Sequence, residues 1–543
     1  MKKNVTQVLE VNELGVSVGE FTLEPLTFTI EPGKCLGVVG ESGSGKSLLA
    51  RALAGILPKQ VAMQGSYRIN HGSHDFVIDN QDSPVLKELR GQAFGYVFQE
   101  PMTALNPAMR CGKQVDEVLM LHTTLNAKER REKILQLFGE VQLPDPAQVY
   151  GKYPHQLSGG QRQRVVIAMA MITQPTLLIA DEPTTALDVT VQDSVVKLFR
   201  SLLKRYKPAL LFISHDLPLV SQLADDLLVL KNGKVQAYGP LNTVINETAS
   251  AYTRQLVSDA PIFQSRLYSH NDKTETPELI VAESVEKSYV DAGFWPFRAK
   301  RYFQALYPAS FSVQAGESVG IVGESGSGKT TLSRVILQLL EQDKGQLRFF
   351  DRDGIALIPG SKKFRKRVQL VFQDPMASLN PQKTVSATLK EVVHIHFPDL
   401  SKRKQQDRID FLLRQVELDD SFLHRYPHEL SGGQRQRICI ARALATEPEV
   451  LICDEAVSAL DVTVQSGIIK LLARLQQSHH LTLLFVSHDL EVVRMLCERV
   501  LILKEGRIVE SGDTEKVFQY PETAYTKKLL ASVPKLNAPK WMR

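Results

Sequence analysis

One long series of motifs occurs twice in this chain of 543 residues. An octapeptide that begins at Gly40 recurs at Gly323, and the stretch Leu-Ser-Gly-Gly-Gln at 157–161 recurs at 430–434. The copies stand roughly half a chain length apart, which is far longer than the unit of a solenoid. The sequence therefore predicts a whole domain that has been duplicated.

The duplication sets the expected domain boundaries. We expect a first domain over residues 1–260, a linker over 261–277 and a second domain over 278–543. The linker is polar and carries prolines at both ends, as short interdomain connections do.

Each copy contains the pattern Gly-x-x-x-x-Gly-Lys-Ser/Thr between an apolar run and a helical pattern. Glycines let the backbone fold so that its N–H groups point at an anion, and the helix N-terminus adds partial positive charge. The lysine then reaches the β- and γ-phosphates, and the hydroxyl suits Mg²⁺. The predicted phosphate-binding residues are Gly40, Ser42, Gly43, Ser44, Gly45, Lys46 and Ser47 in the first copy and Gly323, Ser325, Gly326, Ser327, Gly328, Lys329 and Thr330 in the second.

Adjacent carboxylates follow a later apolar run in each copy, at 181–182 and at 454–455. A fully apolar run predicts a buried parallel strand, and ligands bind at the carboxyl ends of such strands. We expect Asp181 and Asp454 to hold Mg²⁺, and Glu182 and Glu455 to act as general bases on the attacking water.

A glutamine and a histidine also follow apolar runs in each copy. We expect Gln99 and Gln373 to sense Mg²⁺ or the attacking water, and His215 and His488 to contact the γ-phosphate. Taken alone, a histidine or an Asp-Glu pair at a strand end is more often structural or solvated. Repetition behind two P-loops favours the catalytic interpretation.

Composition, apolar patterning and net charge exclude several classes of protein. The five cysteines are scattered without a Cys-x-x-Cys pair, so neither a disulfide framework nor a zinc site is indicated, and we expect a cytoplasmic protein. No uninterrupted apolar stretch approaches ~18 residues, and no apolar segment follows the first lysines, so neither a membrane span nor a secretory signal is expected. The net charge of +5 is too small to indicate a nucleic-acid-binding protein.

The order of P-loop, glutamine, Leu-Ser-Gly-Gly-Gln, Asp-Glu and histidine resembles that of ATP-binding cassette (ABC) ATPases over nearly the whole chain. The resemblance implies an α/β fold of two tandem P-loop NTPase domains, each with a RecA-like core, an antiparallel β subdomain and a helical subdomain. It implies ATP and Mg²⁺ as cofactors. The Mg²⁺ ligands would be Ser47, Gln99 and Asp181 at one site and Thr330, Gln373 and Asp454 at the other.

In this family two cassettes enclose two ATP molecules head to tail. The resemblance thus implies that each signature turn contacts the nucleotide of the other cassette, through Ser158, Gly159 and Gly160 or through Ser431, Gly432 and Gly433. An aromatic residue of the first strand stacks on adenine in this family. Tyr289 fits that position in the second copy, whereas the first copy has Val18 there, with Phe21 as a candidate substitute.

Finer features resemble the oligopeptide/dipeptide/nickel importer branch. Both copies contain Phe-Gln-Glu/Asp-Pro-Met followed by Leu-Asn-Pro, and both end in a tail with Ala-Tyr-Thr. The fused pair is similar to the ATPases of microcin C-type peptide importers. This implies a subunit at the cytoplasmic face of the inner membrane that powers peptide import with two permease subunits and an extracytoplasmic binding protein.

The sequence alone leaves other functions open. The chain could serve a nickel, opine or sugar importer, although sugar importers of fused type usually have a degenerate second P-loop. A soluble twin-cassette translation factor is the rival from another class, but that group has a much longer, helical linker.

Overall fold

The computed structural model describes residues 8–58, 61–72, 74–185, 187–267, 276–291, 301–458 and 460–542. The centre of the predicted linker, 268–275, lies outside these ranges. The chain divides into two compact units. The first comprises the described residues up to Leu187, Val191–Phe263 and the stretch from Pro534 onward; the second comprises Asp188–Thr190 and Gln264–Val533.

The first unit contains two sheets. Its strands are β1 (Leu9–Val18), β2 (Phe21–Ile30), β3 (Cys35–Val39), β4 (Ala62–His71), β5 (His74–Ile78), β6 (Phe94–Val97), β7 (Leu177–Asp181), β8 (Ala209–Ile213), β9 (Asp226–Lys231) and β10 (Lys234–Pro240). An antiparallel sheet has the order β2-β1-β4-β5. The central sheet has the order β10-β9-β3-β8-β7-β6 and is parallel except for β10.

Eleven α-helices complete the described part of this unit. They are α1 (Lys46–Leu53), α2 (Pro84–Leu89), α3 (Pro101–Ala104), α4 (Cys111–His122), α5 (Ala127–Glu140), α6 (Pro146–Gly151), α7 (Gly159–Met171), α8 (Val189–Tyr206), α9 (Leu217–Ser221), α10 (Leu241–Glu247) and α11 (Ala251–Ser258).

The central sheet is apolar because both of its faces are covered. Every residue of β3, β7 and β8 is buried, as expected of a parallel sheet between two layers. One hydrophobic core lies between this sheet and the antiparallel sheet and includes α1. A second core joins the opposite face to α4, α5, α7 and α8. The carboxyl ends of β3, β7 and β8 are thereby held at one edge, where the polar motifs begin.

Local sequence explains where the helical layer starts. Asn126 caps α5: its side chain accepts from the N–H groups of Lys128 and Glu129, while the Glu129 carboxylate accepts from the Asn126 N–H. Such a reciprocal capping box satisfies N–H groups that a helix start leaves unpaired. The start of α5 is therefore determined by the local sequence.

The second unit repeats this plan. Its strands are β11 (Glu278–Asp291), β12 (Arg301–Gln314), β13 (Ser318–Val322), β14 (Lys344–Phe350), β15 (Ala356–Leu357), β16 (Val368–Val371), β17 (Val450–Asp454), β18 (Thr482–Ser487), β19 (Arg499–Lys504) and β20 (Arg507–Asp513). Its sheets have the orders β12-β11-β14-β15 and β16-β17-β18-β13-β19-β20, the second of these parallel except for β20.

The helices of the second unit are α12 (Lys329–Ile336), α13 (Lys362–Arg367), α14 (Pro375–Ser378), α15 (Val385–His396), α16 (Lys402–Gln415), α17 (Gly432–Leu444), α18 (Val462–His479), α19 (Leu490–Leu496), α20 (Thr514–Gln519) and α21 (Ala524–Ala531). The predicted α/β fold, with a parallel core, an antiparallel sheet and a helical layer in each half, is confirmed.

Candidate nucleotide-binding sites

The P-loop of each unit runs from a buried central strand into a short helix, α1 or α12. Gly45 and Gly328, which cap these helices, both have φ of 102°. This left-handed conformation is open to glycine and strained for residues with a side chain. The glycine is therefore required by the turn that points the first N–H groups of the helix at a bound anion.

The P-loop lysines are buried and bonded to their own loops. Lys46 is 5% exposed, and its Nζ donates to the carbonyl oxygens of Gly40 at 2.7 Å and Glu41 at 2.8 Å. Lys329 makes the same two bonds in its own loop, at 2.7 and 3.0 Å. Each ammonium thus lies at the mouth of the phosphate-binding turn.

Asp181 ends β7 beside the P-loop helix. Ser47 Oγ donates to one of its carboxylate oxygens and the Tyr96 hydroxyl donates to the other, both at 2.9 Å. Burial raises the pKa of Asp181, and the two hydroxyls work against that shift. A hydroxyl next to a carboxylate supplies the oxygen ligands that Mg²⁺ prefers, so Ser47 and Asp181 fit the predicted metal role.

The corresponding carboxylate of the second unit has a different neighbour. Leu370 faces Ile452 of β17 as Tyr96 faces Ile179 of β7. Burial, and then the charge of Glu455, raise the pKa of Asp454 to about 6. The described residues contain no group of three or more His, Cys, Asp or Glu side chains that could hold a metal ion.

Glu182 is the centre of a polar cluster in the first unit. Gln99 Nε2 donates to Glu182 Oε2 at 3.0 Å, the Thr185 hydroxyl donates to the same oxygen at 2.9 Å, and His215 Nδ1 lies 3.4 Å from it. The backbone of Glu182 has φ of 47°, an uncommon conformation for a residue with a side chain. Such strained positions cluster at functional sites, where the surrounding structure maintains them.

The second unit repeats the cluster. Gln373 Nε2 donates to Glu455 Oε2 at 2.9 Å, and His488 Nδ1 lies 3.6 Å from Oε1. Glu455 has φ of 48°. The structure therefore brings together the predicted glutamine, glutamate and histidine in both units, across more than 80 residues of sequence between the first two.

The charges of the first cluster favour an ionised glutamate. Burial on its own would raise the pKa of Glu182, but the hydrogen bond and charge of His215, with the Thr185 hydroxyl, lower that pKa to about 2. Burial opposes the charged form of His215, while Glu182 outweighs burial and raises the pKa of the ring. The His488 contact likewise outweighs burial and lowers the pKa of Glu455. Both carboxylates are therefore ionised at neutral pH.

The signature residues begin a helix in each unit. Ser158 Oγ accepts from the N–H of Gln161 at 3.3 Å, and the Gln161 side chain accepts from the Ser158 N–H at 3.1 Å. Ser431 and Gln434 form the same capping box. The Leu-Ser-Gly-Gly-Gln motif is therefore also a helix start, as the spacing Ser-x-x-Gln indicates.

Close packing accounts for one signature glycine in each unit. A Cβ on Gly160 would lie 2.7 Å from Val191, and one on Gly433 would lie 2.3 Å from Val464. The predicted contact of the signature turns with nucleotide bound to the other cassette stays a prediction.

The two sites present different aromatic residues. Tyr289 lies at the start of α12, where its hydroxyl is 3.5 Å from Thr331 Oγ1. In the first unit Val18 pairs across the strands with Phe21, and a Cβ on Gly45 would lie 3.3 Å from Phe21 Cζ. The aromatic ring next to the first P-loop therefore comes from β2, whereas the ring next to the second comes from β11.

Sequence reasoning missed two side chains of the first site, Tyr96 and Thr185. The sequence does contain a signal for Thr185, because the hydroxyl of a residue three positions after Glu182 can hydrogen-bond to its carboxylate. The sequence contains no such signal for Tyr96, since its contact with Asp181 depends on the pairing of β6 with β7.

Within the described part of the chain, no helix is long and apolar enough to cross a bilayer.

Comparison with known proteins agrees with this geometry. The model of the family described as ABC transporter matches residues 23–185 and 306–458, and that of the oligopeptide/dipeptide transporter C-terminal region matches 509–542. The match to the C-terminal region begins within β20 and covers α20 and α21.

Relatives align with almost the whole chain. The peptidoglycan transport ATP-binding protein YejF of Agrobacterium fabrum is 38% identical over 99% of this chain and 98% of its own length. The glutathione import ATP-binding proteins GsiA of Pectobacterium atrosepticum and Escherichia coli K12 are also 38% identical, over 97% and 94% of this chain and 90% and 86% of their own lengths.

Solved structures add a likeness in fold. The archaeal ribosome recycling factor aABCE1, solved with the stalk protein aP1, has a TM-score of 0.58 over 91% of this chain and 88% of its own, at 20% identity. The RNase-L inhibitor structure has a TM-score of 0.57 over 92% and 88%, also at 20% identity. At that identity the likeness shows the fold alone. The family models and the full-length relatives place this chain in the ABC transporter family, as an ATP-binding protein with two cassettes and an oligopeptide/dipeptide-type C-terminal region.

Proposed function

We propose that this ATPase powers the import of peptides or peptide-like compounds through a membrane transporter. The observation that supports ATP hydrolysis at both sites is the intact Glu-Gln-His cluster beside the P-loop in both cassettes. Relatives of this chain are named for glutathione import and peptidoglycan transport, and glutathione is itself a tripeptide. The second cassette also carries the C-terminal region of oligopeptide/dipeptide transporters.

The side chains of each site have separate roles in ATP hydrolysis. Lys46 and Lys329 neutralise the β- and γ-phosphates, with the loop N–H groups around them. Glu182 and Glu455 accept a proton from the water that attacks the γ-phosphate. The glutamine orients that water, and His215 and His488 contact the γ-phosphate. The products are ADP and inorganic phosphate.

Mg²⁺ fits the oxygen atoms next to each P-loop. Ser47, Asp181 and Gln99 would hold it in the first cassette, and Thr330, Asp454 and Gln373 in the second. When bound, the ion neutralises charge on the phosphate oxygens.

The signature turns complete the proposal. Ser158, Gly159 and Gly160, and Ser431, Gly432 and Gly433, would contact the γ-phosphate of the nucleotide on the other cassette, so that ATP draws the cassettes together and hydrolysis releases them. We place the chain at the cytoplasmic face of the inner membrane, with two permease subunits and an extracytoplasmic binding protein as partners. The helical layers, α4–α6 and α15–α16, would receive the permeases.

The different aromatic residues at the two sites give a first prediction. Tyr289→Ala and Phe21→Ala should each weaken ATP binding by about tenfold at the affected site, because stacking on a base is worth about 1–3 kcal/mol. Fluorescent-nucleotide titration of the full chain measures this. Val18→Ala and Tyr302→Ala are the matched controls and should leave affinity unchanged. A loss in Val18→Ala equal to that in Phe21→Ala would contradict the assignment of Phe21.

Uptake by cells tests the proposed cargo. A strain that lacks this chain but keeps its permeases should fail to accumulate at least one of three labelled probes, which are glutathione, a dipeptide and a tripeptide. The wild-type chain should restore uptake of each probe that was lost. The Glu182→Gln/Glu455→Gln variant, expressed at the same level, should restore none. Uptake of all three probes at the wild-type rate in the deletion strain would contradict the proposal.

A further inference from the structure

The tail of each cassette places a tyrosine against the P-loop. The hydroxyl of Tyr252, on α11, accepts from the backbone N–H of Glu41 at 3.2 Å. The hydroxyl of Tyr525, on α21, accepts from the N–H of Glu324, also at 3.2 Å. The two contacts join residues 211 and 201 positions apart, and they arise independently in the two cassettes.

The tail sequence explains how each ring is aimed. Ser250 caps α11 by accepting from the Thr253 N–H, and Thr523 caps α21 in the same way. The tyrosine is the second residue of each helix and is thereby fixed in direction. A lysine lies over each ring, with Nζ 4.2 Å from the ring centre of Tyr252 and 5.3 Å from that of Tyr525, a favourable cation–π contact.

The bonded N–H belongs to a peptide group that the P-loop lysine also holds. Gly40 contributes the carbonyl and Glu41 the N–H of one planar peptide unit. Lys46 Nζ donates to the Gly40 carbonyl at 2.7 Å while Tyr252 accepts from the Glu41 N–H. The second cassette has the same pair of bonds, with a lysine-to-carbonyl distance of 2.7 Å. Each peptide unit is therefore held from both of its ends.

We propose that Tyr252 and Tyr525 are positioning residues that hold the first peptide of the P-loop for nucleotide binding. The inference rests on the proposed phosphate role of Lys46 and Lys329. When the ammonium turns to the phosphates, its bond to the Gly40 or Gly323 carbonyl weakens. The tyrosine bond then keeps the peptide plane in place, so the loop does not have to be ordered again as ATP binds.

The neutral phenol suits this role. Burial raises the pKa of Tyr525 to about 12, so its hydroxyl stays protonated across the physiological range. Tyr252 is 6% exposed, which protects its bond from competing water. A change in the position of either tail would therefore reach the P-loop directly, through this tyrosine.

Removing the hydroxyl alone tests the proposal. Tyr252→Phe and Tyr525→Phe keep the ring and its lysine contact, and the double variant of the full chain should raise the KM for ATP by about three- to tenfold, as expected for one net hydrogen bond at each site. We expect kcat to change by less than twofold and the melting temperature to fall by no more than a few degrees. Tyr520→Phe, in the same tail and 75% exposed, is the matched control and should leave KM unchanged.

The outcomes separate this proposal from the one it rests on. An unchanged KM in Tyr252→Phe/Tyr525→Phe, with nucleotide binding still lost in Lys46→Met/Lys329→Met, would overturn the tyrosine role and leave the P-loop assignment intact. Unchanged binding in the lysine variants would overturn both. A fall in kcat at unchanged KM, or a large fall in melting temperature, would show that the tyrosines serve chemistry or stability instead.

Discussion

Replacement of both Glu182 and Glu455 by glutamine should lower steady-state ATP hydrolysis by at least about a hundredfold while ATP remains bound. General-base catalysis contributes about 10²–10⁴-fold, and a glutamine side chain cannot accept the proton of the attacking water. Glutamine keeps the size of the side chain and its hydrogen bond with Gln99 or Gln373. Phosphate release and nucleotide retention on a desalting column measure the two effects.

A control separates this effect from a change in overall charge. Glu132→Gln removes a carboxylate from the exposed face of α5 and should hydrolyse ATP at the wild-type rate. The single variant Glu455→Gln should retain ATP at its own site and stop transport. Steady-state hydrolysis at the wild-type rate in that variant would remove Glu455 from the catalytic role.

The parts of the site that sequence predicts are those that local rules determine. A P-loop is read from a strand, a glycine-rich turn and a helix that are adjacent in the chain. Asp181 and Glu182 were found because the carboxyl ends of parallel strands share an edge of the sheet. The same rule predicts that His215 lies at this edge, because it follows β8, the strand that pairs with β7.

Contacts that depend on tertiary packing could not be predicted in this way. Tyr96 contacts Asp181 because β6 pairs with β7 in one register, and nothing in its sequence neighbourhood specifies that pairing. Phe21 was a candidate from the sequence, but its approach to the first P-loop depends on the pairing of β2 with β1. The repeated Ala-Tyr-Thr in the tails was visible in the sequence, but its meaning depends on α11 and α21 lying against loops about 200 residues away.

Replacement of each P-loop lysine by methionine should weaken ATP binding at that site by about a hundredfold. A hydrogen bond from a charged donor is worth about 1.5–3 kcal/mol, and methionine keeps the buried stem while removing the ammonium. Lys46→Met and Lys329→Met, measured singly and together by titration with a fluorescent ATP analogue, report on the two sites separately. The single variants should each keep one site of wild-type affinity, and the double variant should keep none.

Stability has to be checked in the same samples, because the ammonium also bonds the carbonyls of Gly40 and Glu41. The melting temperature without nucleotide should fall by only a few degrees, whereas the stabilisation that ATP adds to the wild-type chain should disappear in the double variant. Lys128→Met, on the exposed face of α5, is the control for lost charge and should bind ATP at both sites. Full ATP stabilisation in Lys46→Met/Lys329→Met would show that the phosphates are held by the loop N–H groups alone. The lysines would then serve to shape the loop rather than to bind its ligand.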